Sequence, residues 1–192
     1  MPQTRHMIGK FAKGKVAVFI DAANIFYSQR TLGWRISYER LKTYFSSECE
    51  VVNIFVYTAT DESRPEQKQF VDMLKRSGFE VRTKPVKKIR LAGGVYQWKG
   101  DFDVELTMDV LDNVSVYDTA VLMSGDSDFA PLVDRIKSRN KRVIVMSVKG
   151  HVSKELLDRA KYVNLKKLRS DIELIKNKIP PHGAGRGSSS IS

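Results

Sequence analysis

Residues 121–133 read VLMSGDSDFAPLV. An apolar run from Val121 to Met123 stops at Ser124-Gly125-Asp126-Ser127-Asp128, and an amphipathic segment starts at Phe129. That order describes a buried strand that delivers two carboxylates to a sheet edge and hands over at once to a helix. Carboxylates at the C-terminal end of a parallel strand suit a hard divalent cation, and with it metal-dependent phosphate chemistry.

The rest of the chain repeats the pattern. Strand-like runs at 15–20, 51–58, 79–83, 120–123 and 142–148 alternate with helical spacing at 22–30, 38–46, 65–77, 102–111, 131–137, 153–160 and 168–176. Pro65 suits the first turn of its helix, and Gly78 the position just past its end. Such alternation predicts an α/β fold with a mostly parallel central sheet flanked by helices on both faces. Residues 84–98 break the rhythm with two short strand-like pieces around Gly93-Gly94, which predicts a small β-hairpin insertion. Residues 1–14 read as a flexible basic arm, 15–178 as one domain, and 179–192, rich in Pro, Gly and Ser, as a disordered tail.

Charge narrows the partners. The 192 residues carry a formal net charge of +11, so a polyanion such as RNA is the natural partner. A carboxylate cluster in so basic a chain needs a reason. Cys49 is the lone cysteine, which excludes an intrachain disulfide and a cysteine-based zinc site and fits a reducing, cytoplasmic setting. The N-terminus lacks the apolar core of a secretory signal. No apolar stretch approaches the roughly 20 residues of a membrane span.

Two further acidic motifs join SGDSDF. The first strand ends in Asp21, and Asn24 lies three residues on, within reach of the same face; Asp21 reads equally as a helix N-cap. In KGDFDVELTMD, residues 99–109, Asp103 sits near a helix start with Thr107 one turn later. Asp109 falls about 240° around a regular helix from Asp103 and so ranks below it. Asp101 and Glu105 read as solvated. In SGDSDF, Gly125 permits a tight or positive-φ turn, Asp126 points over the sheet edge, and Asp128 serves as helix cap or second ligand. All three motifs fall where strand meets helix, on one side of the sheet. Crowded carboxylates repel and raise pKa values, and Mg²⁺ or Mn²⁺ would relieve them.

Apolar strand plus Asp21 and Asn24, the acids of 99–109, then SGDSDF at 124–129 resemble the NYN domain family, closest to its LabA-like bacterial branch, over roughly residues 14–165. The resemblance implies a PIN-like Rossmannoid three-layer sandwich related to metal-dependent ribonucleases. It implies Asp21, Asp103, Asp126 and Asp128 as metal-binding acids, Asp109 as a further candidate, and Asn24 as a polar support. The run Lys99-Gly100-Asp101-Phe102-Asp103 is one residue longer than the family's KGVD-like run. Asp101 and Asp103 therefore stay alternatives, with Val104 and the spacing to Asp109 favouring Asp103.

The resulting reading is hydrolysis of an RNA phosphodiester around an aspartate-bound cation, with Asp21, Asn24, Asp103, Asp126 and Asp128 as the catalytic set. The alternative is a non-catalytic RNA-binding or regulatory module. A phosphatase of the haloacid-dehalogenase type is disfavoured because Ala23 stands where a second nucleophile-strand Asp belongs, and no GxxxxGK[ST] loop supports an ATPase. No histidine is placed as a general base: His6 and His182 fall in the tails and His151 in a loop. Substrate contacts are expected from Ser124, Lys87, Lys88, Arg90, Trp98 and Lys99, with Arg82, Lys84 and Tyr96 nearby; aromatic and basic residues interleave there as a stacking platform for unpaired bases would. Residues 135–142 form a second basic cluster, read equally as a solvated face or a binding surface. A homodimer is permitted but nothing specifies it.

Overall fold

The computed structural model describes residues 7–61, 63–90 and 96–175, with 88–90 and 96–99 described by their backbone alone. A six-stranded, all-parallel sheet forms its centre. In chain order its strands are β1 (Lys15–Asp21), β2 (Glu50–Thr60), β3 (Glu80–Pro85), β6 (Thr119–Met123), β7 (Arg142–Ser147) and β8 (Lys161–Asn164). A separate antiparallel pair, β4 (Lys87–Arg90) with β5 (Tyr96–Lys99), is the expected hairpin; its Gly93-Gly94 turn lies outside the described residues. The helices are α1 (Ala22–Leu32), α2 (Tyr38–Glu48), α3 (Pro65–Arg76), α4 (Asp103–Asp112), α5 (Ala130–Lys137), α6 (Lys154–Leu157) and α7 (Arg169–Ile172).

Strand sequence explains the layers. Side chains alternate across a strand, and here the alternation feeds two cores. Val16, Val18, Ile20, Val121 and Met123 face the core closed by α1, α2, α3 and α7, through Ile25, Phe45, Leu74 and Ile172. Ala17, Phe19, Ala120 and Leu122 face the other, closed by α4 and α5 through Leu106, Val110 and Val133. The central strands β1 and β6 are buried on both faces, which is why they read as unbroken apolar runs rather than alternating ones. Phe19 stacks on Phe55 at 5.2 Å, joining β1 to β2 in the second core.

The C-terminal third differs from the sequence reading. The helix expected at 153–160 stops at Leu157, started by Ser153, whose hydroxyl accepts from the Leu156 amide. Strand β8 follows, which the sequence reading missed; it is four residues long and only Val163 is fully buried, so it lacks an apolar run. Of the segment expected to be helical at 168–176, the described residues form only the single turn of α7, preceded by a 3₁₀ turn over Leu165–Leu168.

Residues 7–14, expected within a flexible arm, lie against the body. Ile8 is fully buried in the first core, the Gly9 amide donates to Glu48, and Lys13 and Thr119 exchange two hydrogen bonds. The signal was weak because the apolar pairs Met7-Ile8 and Phe11-Ala12 are short and set among cations. The remainder of that arm and residues 176–192 lie outside the described residues. No helix among the described residues is long and apolar enough to cross a membrane.

Replacing Ile8 by Ala is expected to lower unfolding stability by about 2–5 kcal/mol, as for other buried aliphatic truncations. Urea denaturation of the full chain measures it, and a loss below about 0.5 kcal/mol would assign residues 7–14 to a loosely attached arm.

Candidate functional site

The strand order β3-β2-β1-β6-β7-β8 reverses its direction of growth between β1 and β6. Open α/β sheets form their ligand crevice beyond the C-terminal strand ends at such a switch point. Ile20 pairs with Met123, so Asp21 and Ser124 emerge there side by side. Asp21 ends β1 and caps α1: one carboxylate oxygen accepts from the Asn24 amide at 3.1 Å, the other from the Ser124 hydroxyl at 3.2 Å. Burial raises its pKa above the usual carboxylate value. Hydrogen bonds from Asn24, Ser124 and the Ala23 amide oppose that shift, and the Asp126 charge adds to it.

The SGDSDF turn is built from the inside. Ser124 is fully buried; its hydroxyl donates to Asp21 and accepts from the Asp126 amide at 3.3 Å. This residue, expected among the substrate contacts, holds Asp21 and the turn together. Gly125 is needed for close approach rather than for a positive φ: a Cβ there would meet the His151 carbonyl oxygen at 1.7 Å. Its amide donates to the Asn24 side-chain oxygen at 3.2 Å, and its carbonyl accepts from the Ser153 amide at 2.9 Å. Asn24 thereby ties α1 to the turn. The cap is Asp126, whose carboxylate accepts from the Asp128 amide at 3.0 Å to start a 3₁₀ turn over Ser127–Phe129. Asp128 is not the cap, because α5 begins without a side-chain cap bond and Pro131 fills its first turn.

The third motif arrives from the hairpin. Gly100 passes so close to β2 that a Cβ would meet the Ala59 methyl at 2.5 Å, and Phe102 buries itself in the second core. Asp103 then opens α4. Carboxylate oxygens of Asp103, Asp126 and Asp128 all lie within 4.8 Å of one another. Asp103 is half-buried, and that burial, with the nearby charges of Asp126, Asp101, Asp21 and Asp128, pushes its pKa up to about 6. Asp21 contributes charge from behind but stands outside the group of three. Of the two alternatives in the KGDFD run, Asp103 joins this group and exposed Asp101 does not.

Other expected residues fall elsewhere. Asp109 accepts from the Tyr57 hydroxyl at 3.0 Å and from Arg82 at 2.9 Å, so it fastens α4 to β2 and β3. Lys84 pairs with Glu105 at 2.7 Å and lies 4.5 Å from the Phe102 ring centre. Arg82 and Lys84 therefore brace α4, and Glu105 is paired rather than merely solvated. Lys87 is exposed. The side chains of Lys88, Arg90, Trp98 and Lys99 lie outside the described residues. By ladder register, Lys88 opposes Trp98 and Arg90 opposes Tyr96, so these four positions share one face of the hairpin. His151 meets the Thr31 hydroxyl at 2.6 Å, apart from the three carboxylates.

The sequence reading overlooked Phe26 and Tyr27 on α1, both exposed, with the Arg30 guanidinium 5.7 and 5.4 Å from their ring centres. Adjacency alone gave no signal, since the consecutive aromatics Tyr44 and Phe45 of α2 are both buried.

A donor set of carboxylate oxygens without imidazole or thiolate, in which Asp126 and Asp128 add to the cost of ionising Asp103, fits a hard divalent cation. In cation-free protein, folded Asp103 holds its proton more tightly than the unfolded chain does. Its contribution to stability is complete below its ordinary value of 3.8 and is lost as pH rises through about 6. Asp103→Asn escapes that loss. Melts in chelator are expected to show the variant above wild type at pH 8, with the gain gone by about pH 4. A variant that melts below wild type at pH 8 would show that Asp103 carries no such cost.

Comparison with known proteins follows the same residues. The NYN domain profile matches residues 15–166, from the start of β1 through β8, spanning all three acidic motifs. The Low amplitude and bright protein LabA of Synechococcus elongatus is 33% identical over 168 residues, covering 85% of this chain and 90% of its own length. A crystal structure of a protein of unknown function from Vibrio parahaemolyticus superposes with a TM-score of 0.70 at 32% identity, covering 90% of this chain and all of the other. By sequence, the chain belongs to the NYN domain family.

Proposed function

We propose that the protein is a metal-dependent ribonuclease that hydrolyses RNA phosphodiester bonds at the head of its sheet. The observation that carries this reading is the convergence of Asp103, Asp126 and Asp128 at the switch point of a chain whose net charge is +11. Binding a polyanion does not require a negative pocket, whereas gathering a cation against a phosphate does. The NYN domain is itself a PIN-like family of nuclease type and generally depends on divalent metal.

Mg²⁺ or Mn²⁺ would be held by Asp103, Asp126 and Asp128, and when bound it supplies the positive charge that lets water displace a phosphodiester oxygen. The chain's own groups prepare that site. Asp21, clamped between the Asn24 amide and the Ser124 hydroxyl, adds negative charge from behind. Asn24 and Ser124 act as positioning residues, holding Gly125 and Asp126 through hydrogen bonds. On the substrate side, the hairpin pairs the cation positions Lys88 and Arg90 of β4 with the aromatic positions Trp98 and Tyr96 of β5 on one face, a pattern suited to phosphates and splayed bases of a single strand. Lys87 and Lys99 oppose one another on its other face.

Cleavage of a labelled RNA by the full chain is expected with Mn²⁺ or Mg²⁺ and not in chelator. Asp126→Asn is expected to cut about a hundredfold or more slowly. Equal cleavage by both proteins would remove Asp126 from the reaction, and cation-dependent RNA binding without turnover would make the protein an RNA-binding module. Replacing Lys87, Lys88 and Arg90 by Ala is expected to weaken RNA binding and flatten its log–log salt slope by about 2. An unchanged slope would remove the hairpin from the substrate path.

A further inference from the structure

The sheet has a second pole. Its strands run in one direction, so residues that begin β7 and β8 lie at the edge opposite the three carboxylates. A cleft of about 360 Å³ opens there, lined by six cations: Lys10, Lys137, Lys141, Arg142, Arg159 and Lys161. Its floor is apolar, formed by Phe11, Val143, Ile144 and Ala160. Arg142 and Lys161 are the first residues of β7 and β8; Lys137 ends α5, and Arg159 follows α6.

The charges do not cancel. Lys141 pairs with Asp118 at 3.3 Å, and Arg159 with Asp134 at 3.0 Å. Among the described residues, no carboxylate forms an ion pair with the other four. The contacts that orient them are neutral: Lys137 donates to the Arg159 carbonyl at 2.7 Å, Arg142 to the Phe11 carbonyl at 3.1 Å, and Lys161 stands 4.1 Å from the Phe11 ring centre. Like charges gathered around a concave, low-dielectric wall focus a positive field. A single phosphate, at about −1.5 to −2, would neutralise half of it. Two or three linked phosphates match it, and the cleft lies within the size range of small-ligand pockets, about 300–1,000 Å³. Arginine and lysine together supply both forked and point-charge recognition of phosphate oxygens.

We propose that this cleft binds a compact polyphosphate, a di- or triphosphate either free or carried by a nucleoside. The site is independent of the carboxylate group at the other pole. It also gathers the N-terminal segment, because Lys10 and Phe11 line it.

Calorimetric titration of the full chain in chelator tests the proposal, using ATP, inorganic triphosphate, AMP and adenosine. Saturable one-to-one binding of ATP and triphosphate is expected, with AMP at least tenfold weaker and adenosine silent. Equal affinities for ATP and triphosphate would identify the free polyphosphate as the ligand; tighter ATP would seat the nucleoside on the apolar floor. Changing Lys10→Gln, Lys137→Gln and Lys161→Gln together is expected to weaken binding at least tenfold, whereas Asp126→Asn and the Lys87, Lys88, Arg90 alanine variant bind as wild type does. Should the triple variant melt early, Lys10→Gln alone, at an exposed position, is expected to show a smaller loss in the same direction. Hydrogen exchange is expected to slow at residues 8–13 on addition of triphosphate. Absence of saturable binding, equal affinity in the triple variant, or binding of single-stranded RNA at this cleft where triphosphate fails would each overturn the proposal.

Discussion

Parallel pairing of β1 with β6 is the constraint on which the functional end of this molecule depends. Five residue pairs, from Val16 with Thr119 to Ile20 with Met123, hold the two strands in register. Both strands are apolar and buried on each face, so a one-residue slip would exchange every side chain between the two cores. The register delivers Asp21 beside Ser124, and the hydrogen bonds that the Gly125 and Asp126 amides donate to Asn24 and Ser124 then carry that alignment outward. Precision at the acidic turn is inherited from hydrophobic burial several residues away.

The acidic group sits where the fold can tolerate it. Desolvation and mutual repulsion raise the cost of ionising Asp21 and Asp103. That cost is borne by a chain with a continuous two-sided core and an excess of cations elsewhere. Several of those cations serve the scaffold: Arg82 and Lys84 hold α4 against β3 through Asp109 and Glu105, which keeps the helix that presents Asp103 in place. The same carboxylate-rich helix therefore divides its acids between fastening and presentation.

Much of this was legible in the chain. Unbroken apolar runs ending in Asp21 and Ser124 identified central parallel strands, and the three strand-to-helix acidic motifs identified the crevice. What escaped were features set by neighbours remote in sequence. Four residues of β8 carry one fully buried side chain and no periodicity, so only the sheet edge beside β7 makes them a strand. Gly125 read as a turn glycine, while its real neighbour, the His151 carbonyl, lies 26 positions away. Asp128 looked like a cap because spacing cannot tell which of two nearby acids turns back to the backbone. Arg82 and Lys84 looked like substrate cations because their partners lie on a helix 21 to 27 residues further on.

The route from β5 into α4 has a mechanical meaning. Lys99 closes the hairpin and Asp103 opens the helix, with Gly100 lodged against Ala59 between them. So short a link leaves little slack. Of the three carboxylates, Asp103 alone reaches the site by way of the hairpin, while Asp126 and Asp128 follow directly from the end of β6. The spacing of the acids is therefore set by two separate chain paths, and the path to Asp103 is fixed twice: where Gly100 meets Ala59, and where Glu105 and Asp109 bind β3.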